Sequence, residues 1–193
     1  LYRVLTLCGL GISFTGVSHH GSMGEHQISH YIDCFAGERH PGSLHGQQVG
    51  IAALSMARLQ QQMLAADRPL SVHATHIDLA DMKRRFGAEV ALQCEAELKQ
   101  KAFDQDGAIA FNRKLEDAWP ELRRELSAFT IPVHEMKRLL SAAGGATTAT
   151  ELGVPVDFYR EAIVHCREMR NRFSFLDIAA DAGTLEAFAQ GEN

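Results

Sequence analysis

The sequence predicts an all-α protein. Apolar residues recur three and four positions apart along almost the whole chain, which is the spacing of one face of a helix. The alternation of β-branched and polar residues that marks a half-buried strand is not sustained anywhere. Helical stretches are separated by turn-forming residues, as at Gly37, Pro41 and Gly42. We therefore expect residues 1–193 to form a single helical domain.

The apolar spacing also predicts where the helices lie. They are expected at residues 23–35, 44–64, 79–86, 88–103, 108–128, 133–142 and 177–188, with one more through Tyr159, Ile163 and Cys166. Thr150 and Asp157 are candidate N-caps, because a short polar side chain there can accept a hydrogen bond from the first turn. Pro120 is expected to split or bend the helix that contains it.

The composition excludes some classes of partner. With 46% hydrophobic and 22% charged residues, the chain is typical of a soluble, core-forming protein. The net charge is -5 and the basic residues form no stripe, so we expect no nucleic-acid partner. The apolar run from Val4 to Ile12 is too short for a membrane span and lacks a convincing signal-peptide cleavage site, so we interpret residues 1–17 as a core helix. The four cysteines are far apart, which favours reduced thiols in the cytoplasm.

The start of the sequence lies within a predicted helix. Leu1 follows neither an initiator methionine nor a capping residue, and we expect the chain to be a fragment. No glycine-rich turn between a strand and a helix is present to hold a pyrophosphate. A dinucleotide site would therefore come from elsewhere, and no cofactor-binding residue is assigned in this chain.

Histidines are concentrated in one short stretch. Six of the ten lie between residues 19 and 45, namely His19, His20, His26, His30, His40 and His45. His26 and His30 are four residues apart and share a helix face, and His45 begins the next helix. Two imidazoles from adjacent helices plus a carboxylate suit zinc, nickel or ferrous iron. The spacing alone is common in helices, however, and by itself it favours a structural role for these histidines.

Three motifs resemble a known enzyme family. Residues 18–31, SHHGSMGEHQISHY, resemble the S-R-P-A-S-G-x-E-H-x-x-S-H segment of glycerol-1-phosphate dehydrogenases. Residues 44–50, LHGQQVG, resemble that family's L-H-G-E-Q-V-G, and residues 169–177, MRNRFSFLD, resemble its I-R-D-R-Y-T-x-L-D. The order of the three motifs is that of the family, which belongs to the superfamily of iron-containing alcohol dehydrogenases and dehydroquinate synthases.

The resemblance implies a site and a reaction. His26 and His45 would be metal ligands, and His30 would be the catalytic residue that contacts substrate. The metal would be zinc in the first instance, with nickel or iron as alternatives. The family's third ligand is an aspartate upstream of the first histidine, but no aspartate precedes Asp33 here. An N-terminal α/β domain would supply that ligand and would bind NAD or NADP.

The implied protein is the C-terminal helical domain of a cytoplasmic enzyme that reduces dihydroxyacetone phosphate to glycerol 1-phosphate. Its expected partner is a small-molecule substrate. A homo-oligomer is compatible with the resemblance, and no membrane partner is expected. Alternatives are a polyol dehydrogenase, a dehydroquinate-synthase-like lyase, or a noncatalytic helical binding module.

Departures from the family pattern leave the substrate open. His19 and His20 replace Arg-Pro, Met23 replaces a glycine and Gln47 replaces a glutamate. Because an arginine beside the site is lost, a nonphosphorylated polyol is the alternative substrate.

Several further side chains have two interpretations each. Arg170 and Arg172 would bind a phosphate or pair with Glu168 or Asp177, and pairing is the favoured interpretation. Glu25 would orient His26 or stabilise a helix N-terminus. No role is assigned to the remaining histidines, His40, His73, His76, His134 and His165.

Overall fold

The computed structural model describes residues 2–193, and every regular element in that range is helical. The all-α prediction is therefore confirmed. The α-helices are α1 (Tyr2–Thr15), α2 (Gly24–Phe35), α3 (His45–Ala65), α4 (Leu79–Phe86), α5 (Ala88–Lys99), α6 (Gln105–Phe129), α7 (Val133–Ala142), α8 (Ala149–Leu152), α9 (Val156–His165), α10 (Phe175–Asp181) and α11 (Leu185–Gln190). Single 3₁₀ turns occur at Ser18–His20, Gly37–Arg39 and Cys166–Met169.

The main core lies between α2, α3, α9 and α10. Helix α2 buries Ile28 and Tyr31 completely, and the Tyr31 ring lies 5.8 Å from the buried Phe158 ring of α9. Leu176 of α10 is fully buried in the same cluster. The residues at 26, 30 and 33 fall on a different face of α2 from this apolar stripe. Packing of the core therefore fixes the helix and leaves one polar face free to form a site.

Of the two effects predicted for Pro120, a split or a bend of its helix, the split does not occur, because α6 runs without a break through the proline. Side chains on both sides of the proline tie α6 to the end of α3. The indole Nε1 of Trp119 donates to the Ala66 carbonyl at 3.2 Å, and Arg123 Nε donates to the Leu64 carbonyl at 2.8 Å. These contacts, with Trp119 buried against Leu64, offset the backbone hydrogen bond that proline removes.

Two predicted helix boundaries are displaced by local capping and packing. The helix predicted to reach residue 103 ends at Lys99, and the Phe103 ring packs instead at 4.9 Å from the Phe111 ring. Helix α6 begins at Gln105 rather than 108, because Asp104 caps it by accepting from the Gly107 amide at 2.7 Å.

The C-terminal third shows similar corrections. The helix predicted at 177–188 is two helices, α10 and α11, separated by Gly183 with φ of 72°. Thr148 rather than Thr150 caps α8. Asp157 lies in the first turn of α9, which follows Pro155.

Helix α1 does not enter the core, and the prediction of a core helix is wrong. None of its residues is buried, and Tyr2 and Phe14 are 84% and 86% exposed. Its apolar residues lie on all sides, a pattern that normally indicates burial, but its main packing partner is the Ser18–His20 turn. No helix within residues 2–193 has the length and hydropathy needed to span a membrane.

Candidate metal centre

The three histidines singled out by the sequence come together at the contact of α2 with α3. His26 and His30 are one turn apart on α2, and His45 is the first residue of α3. The ring centroid of His45 lies 5.4 Å from that of His26 and 5.0 Å from that of His30, while the His26 and His30 centroids are 6.3 Å apart. We call these three residues the histidine cluster. Its three ring centroids thus lie within 6.3 Å of one another.

Glu25 fixes the orientation of His26. The Nδ1 atom of His26 is 2.8 Å from Glu25 Oε1, which also accepts a hydrogen bond from the Met23 amide at 3.0 Å. An ionised carboxylate only accepts, so Nδ1 carries the proton and Nε2 keeps its lone pair. This carboxylate–histidine arrangement is typical of metal-binding histidines. The orienting role considered for Glu25 therefore has the geometry it needs.

His45 is oriented by a second polar network. Ser29 Oγ donates to Gln48 Oε1 at 2.8 Å and therefore accepts from His45 Nδ1, also at 2.8 Å. The same Nδ1 lies 3.1 Å from Asp33 Oδ2, and Gln48 Nε2 donates to Asp33 Oδ1 at 2.8 Å. Ser29 and Gln48 are buried, so this frame is rigid. As in His26, Nε2 of His45 is left with a free lone pair.

His30 differs from the other two rings because neither of its nitrogens has a hydrogen-bond partner within residues 2–193. Burial lowers the pKa of His30 below its ordinary value, and the positive charges of Arg170, His45 and His26 lower it further. The ring is therefore neutral at physiological pH and free to bind either a metal or a substrate oxygen.

Asp33 is the residue that the sequence analysis missed. One ligand atom from each of His30, Asp33 and His45 lies within 4.8 Å of the others, so these three form a second possible donor set. Burial alone would raise the pKa of Asp33, but hydrogen bonds from Gln48, His40 and His45 outweigh it and hold the pKa below its ordinary value. The carboxylate is ionised, and it can serve as a ligand or as the orienting partner of His45.

A spacing signal for Asp33 is present in the sequence. Asp33 follows His30 by three residues and Ser29 by four, so it occupies the same helix face. His40, to which no role was assigned, also joins this network, with Nε2 at 3.2 Å from Asp33 Oδ1. Asp33 thus places a carboxylate beside the histidine cluster, although no aspartate precedes His26 in this sequence.

The other histidines lie outside the cluster. His19 and His20 are exposed in the turn after α1, and His134 is exposed on α7. His73, His76 and His165 line a separate cavity of about 390 Å³ near α9 and α10. The only group of metal-binding side chains found among residues 2–193 is the one at His30, Asp33 and His45.

The pairing favoured for Arg170 and Arg172 is wrong. Glu168 pairs with Arg85 at 2.8 Å, and Asp177 pairs with Lys101 at 2.7 Å and with Arg167 at 3.1 Å. Cations nearer in the packed structure, namely Arg85, Lys101 and Arg167, pair with the two carboxylates that sequence proximity suggested for Arg170 and Arg172.

Comparisons of the chain with protein-family models, with curated proteins and with solved structures give no match. Within the structure, the candidate metal centre rests on the convergence of His26, His30 and His45, with Nδ1 of His26 and of His45 within hydrogen-bond distance of a carboxylate.

In the metal-free chain, we expect the His30 ring to titrate below pH 6.5, because its pKa is lowered by burial and neighbouring positive charge. As pH falls below 6.5, the unfolded chain takes up this proton first, so the His30 contribution to stability is lost. An NMR titration of the ring protons measures the midpoint. The midpoint should rise in Arg170→Gln, and a wild-type midpoint above 6.5 would contradict the assignment.

Proposed function

We propose that this chain is the metal- and substrate-binding part of an NAD(P)-linked oxidoreductase that reduces dihydroxyacetone phosphate to glycerol 1-phosphate. The observation that carries the proposal is the pair His26 and His45. Each has its Nδ1 atom held by a carboxylate or a carboxylate-bearing network, and each leaves Nε2 without a hydrogen-bond partner within residues 2–193.

The donor set fits a divalent transition metal. Neutral imidazoles with an adjacent carboxylate suit zinc, nickel or iron, whereas calcium and magnesium prefer sites built wholly from oxygen. His26 and His45 are the proposed ligands, and His30 or Asp33 lies close enough to complete the set. Because His45 exposes 41% of its side chain, the centre is open on one side, as a substrate requires. Zinc is the first choice.

The chemistry divides between the bound groups and this chain. When bound, the metal would polarise the substrate carbonyl and the nicotinamide would supply a hydride. With Asp33 completing the ligand set, His30 is left to contact the substrate oxygen and exchange its proton. The lowered pKa of His30 makes the neutral ring available to accept a proton from the alcohol and makes the protonated ring a stronger donor to the carbonyl oxygen.

The proposal assigns the nicotinamide nucleotide to an α/β domain N-terminal to this chain, as the motif resemblance implies. We also place the enzyme in the cytoplasm. That placement is supported by the cysteines within residues 2–193, Cys8, Cys34, Cys94 and Cys166, all of which are free thiols.

The proposal is tested by assaying the chain joined to its nucleotide-binding domain, with zinc and NADH or NADPH. His26→Ala should lower turnover of dihydroxyacetone phosphate by about tenfold or more, because even residues that only support a metal ligand typically cost ~10–100-fold. His134→Ala, an exposed histidine on α7 outside the cluster, is the matched control and should keep full activity.

The same assay separates the alternatives. Preferred turnover of glycerol would indicate a polyol dehydrogenase, and elimination of phosphate from a substrate would indicate a lyase. Full activity of His26→Ala would contradict the assignment of His26, and absence of any metal-dependent turnover in the wild type would favour a noncatalytic module.

A further inference from the structure

The segment that carries Arg170 and Arg172 is held firmly against α5. The Asn171 amide donates to Glu97 Oε2 at 2.8 Å, and the Asn171 side chain donates from Nδ2 to Gln100 Oε1 at 2.9 Å. Lys101 Nζ donates to the Arg172 carbonyl at 2.9 Å. Two of these hydrogen bonds hold the backbone between the two arginines, and the third holds the Asn171 side chain.

Neither guanidinium has a carboxylate partner within residues 2–193. Arg172 donates from Nη1 to the Ser22 carbonyl at 2.6 Å and to Ser22 Oγ at 2.9 Å, and from Nη2 to Ser18 Oγ at 2.7 Å. Arg170 is exposed and makes no ion pair in the described part of the chain. Burial lowers the pKa of Arg172, and the nearby positive charge of Arg170 lowers it further.

The nearby carboxylates are already engaged. Glu168 pairs with Arg85 and His165, and Glu97 accepts from the Asn171 amide. Glu25 is close enough to Arg172 to favour its charged form, but Glu25 is bound to His26 and to the Met23 amide. The two positive charges therefore exceed the negative charge available to them, and a bound anion would restore the balance.

An open cavity of about 960 Å³ lies beside this pair. Arg170 and Arg172 line it together with Cys34, the residue directly after Asp33. Arg170 is also near enough to His30 for its charge to lower the pKa of that ring. Arg170 thus lines the cavity and is also near His30, and it is the link between the cavity and the histidine cluster.

We propose that Arg170, assisted by Arg172, binds the phosphate group of a small phosphate monoester whose reacting carbon lies at the histidine cluster. The identity of the reacting end rests on the proposed function, but the anion subsite does not. A guanidinium offers a planar pair of donors that match phosphate oxygens, and two of them suit a dianion. A neutral polyol would leave both charges uncompensated, so this subsite selects the phosphorylated substrate.

Direct binding to the metal-free chain tests this subsite without any turnover. Isothermal titration with glycerol 1-phosphate, glycerol and NADP measures affinity for wild type, Arg170→Ala, Arg170→Lys and the control Arg124→Ala, an arginine with 72% of its side chain exposed on α6. Arg170→Ala should weaken glycerol 1-phosphate binding by roughly 10–100-fold, the range for a charged hydrogen bond. The affinity of Arg170→Lys for glycerol 1-phosphate should lie between those of wild type and Arg170→Ala. The affinity of Arg124→Ala should equal that of wild type.

Three outcomes would overturn the subsite. Equal affinity of wild type and Arg170→Ala for glycerol 1-phosphate would exclude Arg170, and equal wild-type affinity for glycerol would exclude phosphate recognition. A loss for NADP larger than the loss for glycerol 1-phosphate would assign the arginine to the nucleotide instead. Phosphate binding that depends on Arg170 in a protein without dehydrogenase activity would keep the subsite and refute only the proposed function.

Discussion

Replacing His45 by alanine is expected to lower the affinity of the chain for zinc by at least ~100-fold. His45 is central to both donor sets, with its ring 5.4 Å from His26 and 5.0 Å from His30 and its nitrogens within reach of Asp33. Loss of a residue that merely supports a ligand typically costs ~10–100-fold in metal affinity, so loss of the shared ligand should cost more. Competition with a chelator of known zinc affinity measures the change.

Two companion variants separate the donor sets. If His26 and His45 are the ligands and Asp33 only orients His45, Asp33→Asn should weaken zinc binding less than His26→Ala does. If Asp33 is itself a ligand, Asp33→Asn should lower the zinc affinity as much as His45→Ala does. The control is His134→Ala, an exposed histidine on α7 that should bind zinc as wild type does. Unchanged affinity in His45→Ala would refute the metal centre.

Replacing Asp177 by alanine is expected to destabilise the fold by ~3–5 kcal/mol, the usual cost of removing one partner from a buried ion pair. Asp177 is 1% exposed and lies between Lys101 Nζ at 2.7 Å and Arg167 Nη1 at 3.1 Å. Both cations are buried, and burial already lowers the pKa of Lys101. The variant would leave two like charges facing each other, and it would also remove the acceptor of the Ser174 amide at the start of α10.

Urea unfolding monitored by circular dichroism measures this loss. The matched control is Asp67→Ala, whose carboxylate is 93% exposed and pairs with Arg123, and it should change stability by less than ~1 kcal/mol. A loss for Asp177→Ala no larger than that of the control would show that the Lys101 and Arg167 charges are stabilised by other groups.

Local patterns predicted the fold wherever one helix face is apolar and the other polar. Helices α2, α3, α4 and α7 lie within one residue of their predicted bounds. The wrong helix predictions have their cause in contacts between segments that are distant in the sequence. Phe103 leaves the helix because it packs on Phe111, and α6 continues through Pro120 because Trp119 and Arg123 tie it to the end of α3. Such contacts between distant segments are invisible to a pattern of spacing.

The prediction that residues 1–17 form a core helix failed for a different reason. Its apolar residues predicted burial, but burial depends on a neighbouring surface, and α1 finds little more than the Ser18–His20 turn within residues 2–193. Apolar character on all sides shows that a helix favours contact with other apolar surfaces. It does not identify the surface that provides the contact.

The histidine cluster was predicted in part. The spacing of His26 and His30, together with the motif at His45, named three residues that do converge. The network of Ser29, Gln48 and Asp33 was missed, because these side chains come into contact only when α2 packs against α3. Likewise, Arg170 and Arg172 were paired with acids close in sequence, whereas the fold gives those acids to Arg85, Lys101 and Arg167.

The most direct test of the metal centre is anomalous diffraction at the zinc absorption edge from crystals of the zinc-loaded chain. We expect one strong peak among His26, His30 and His45, about 2.0–2.1 Å from Nε2 of His26 and of His45. The distances from the same peak to His30 and Asp33 would identify the remaining ligand. The absence of a peak at the cluster, or a peak only elsewhere on the chain, would contradict the account.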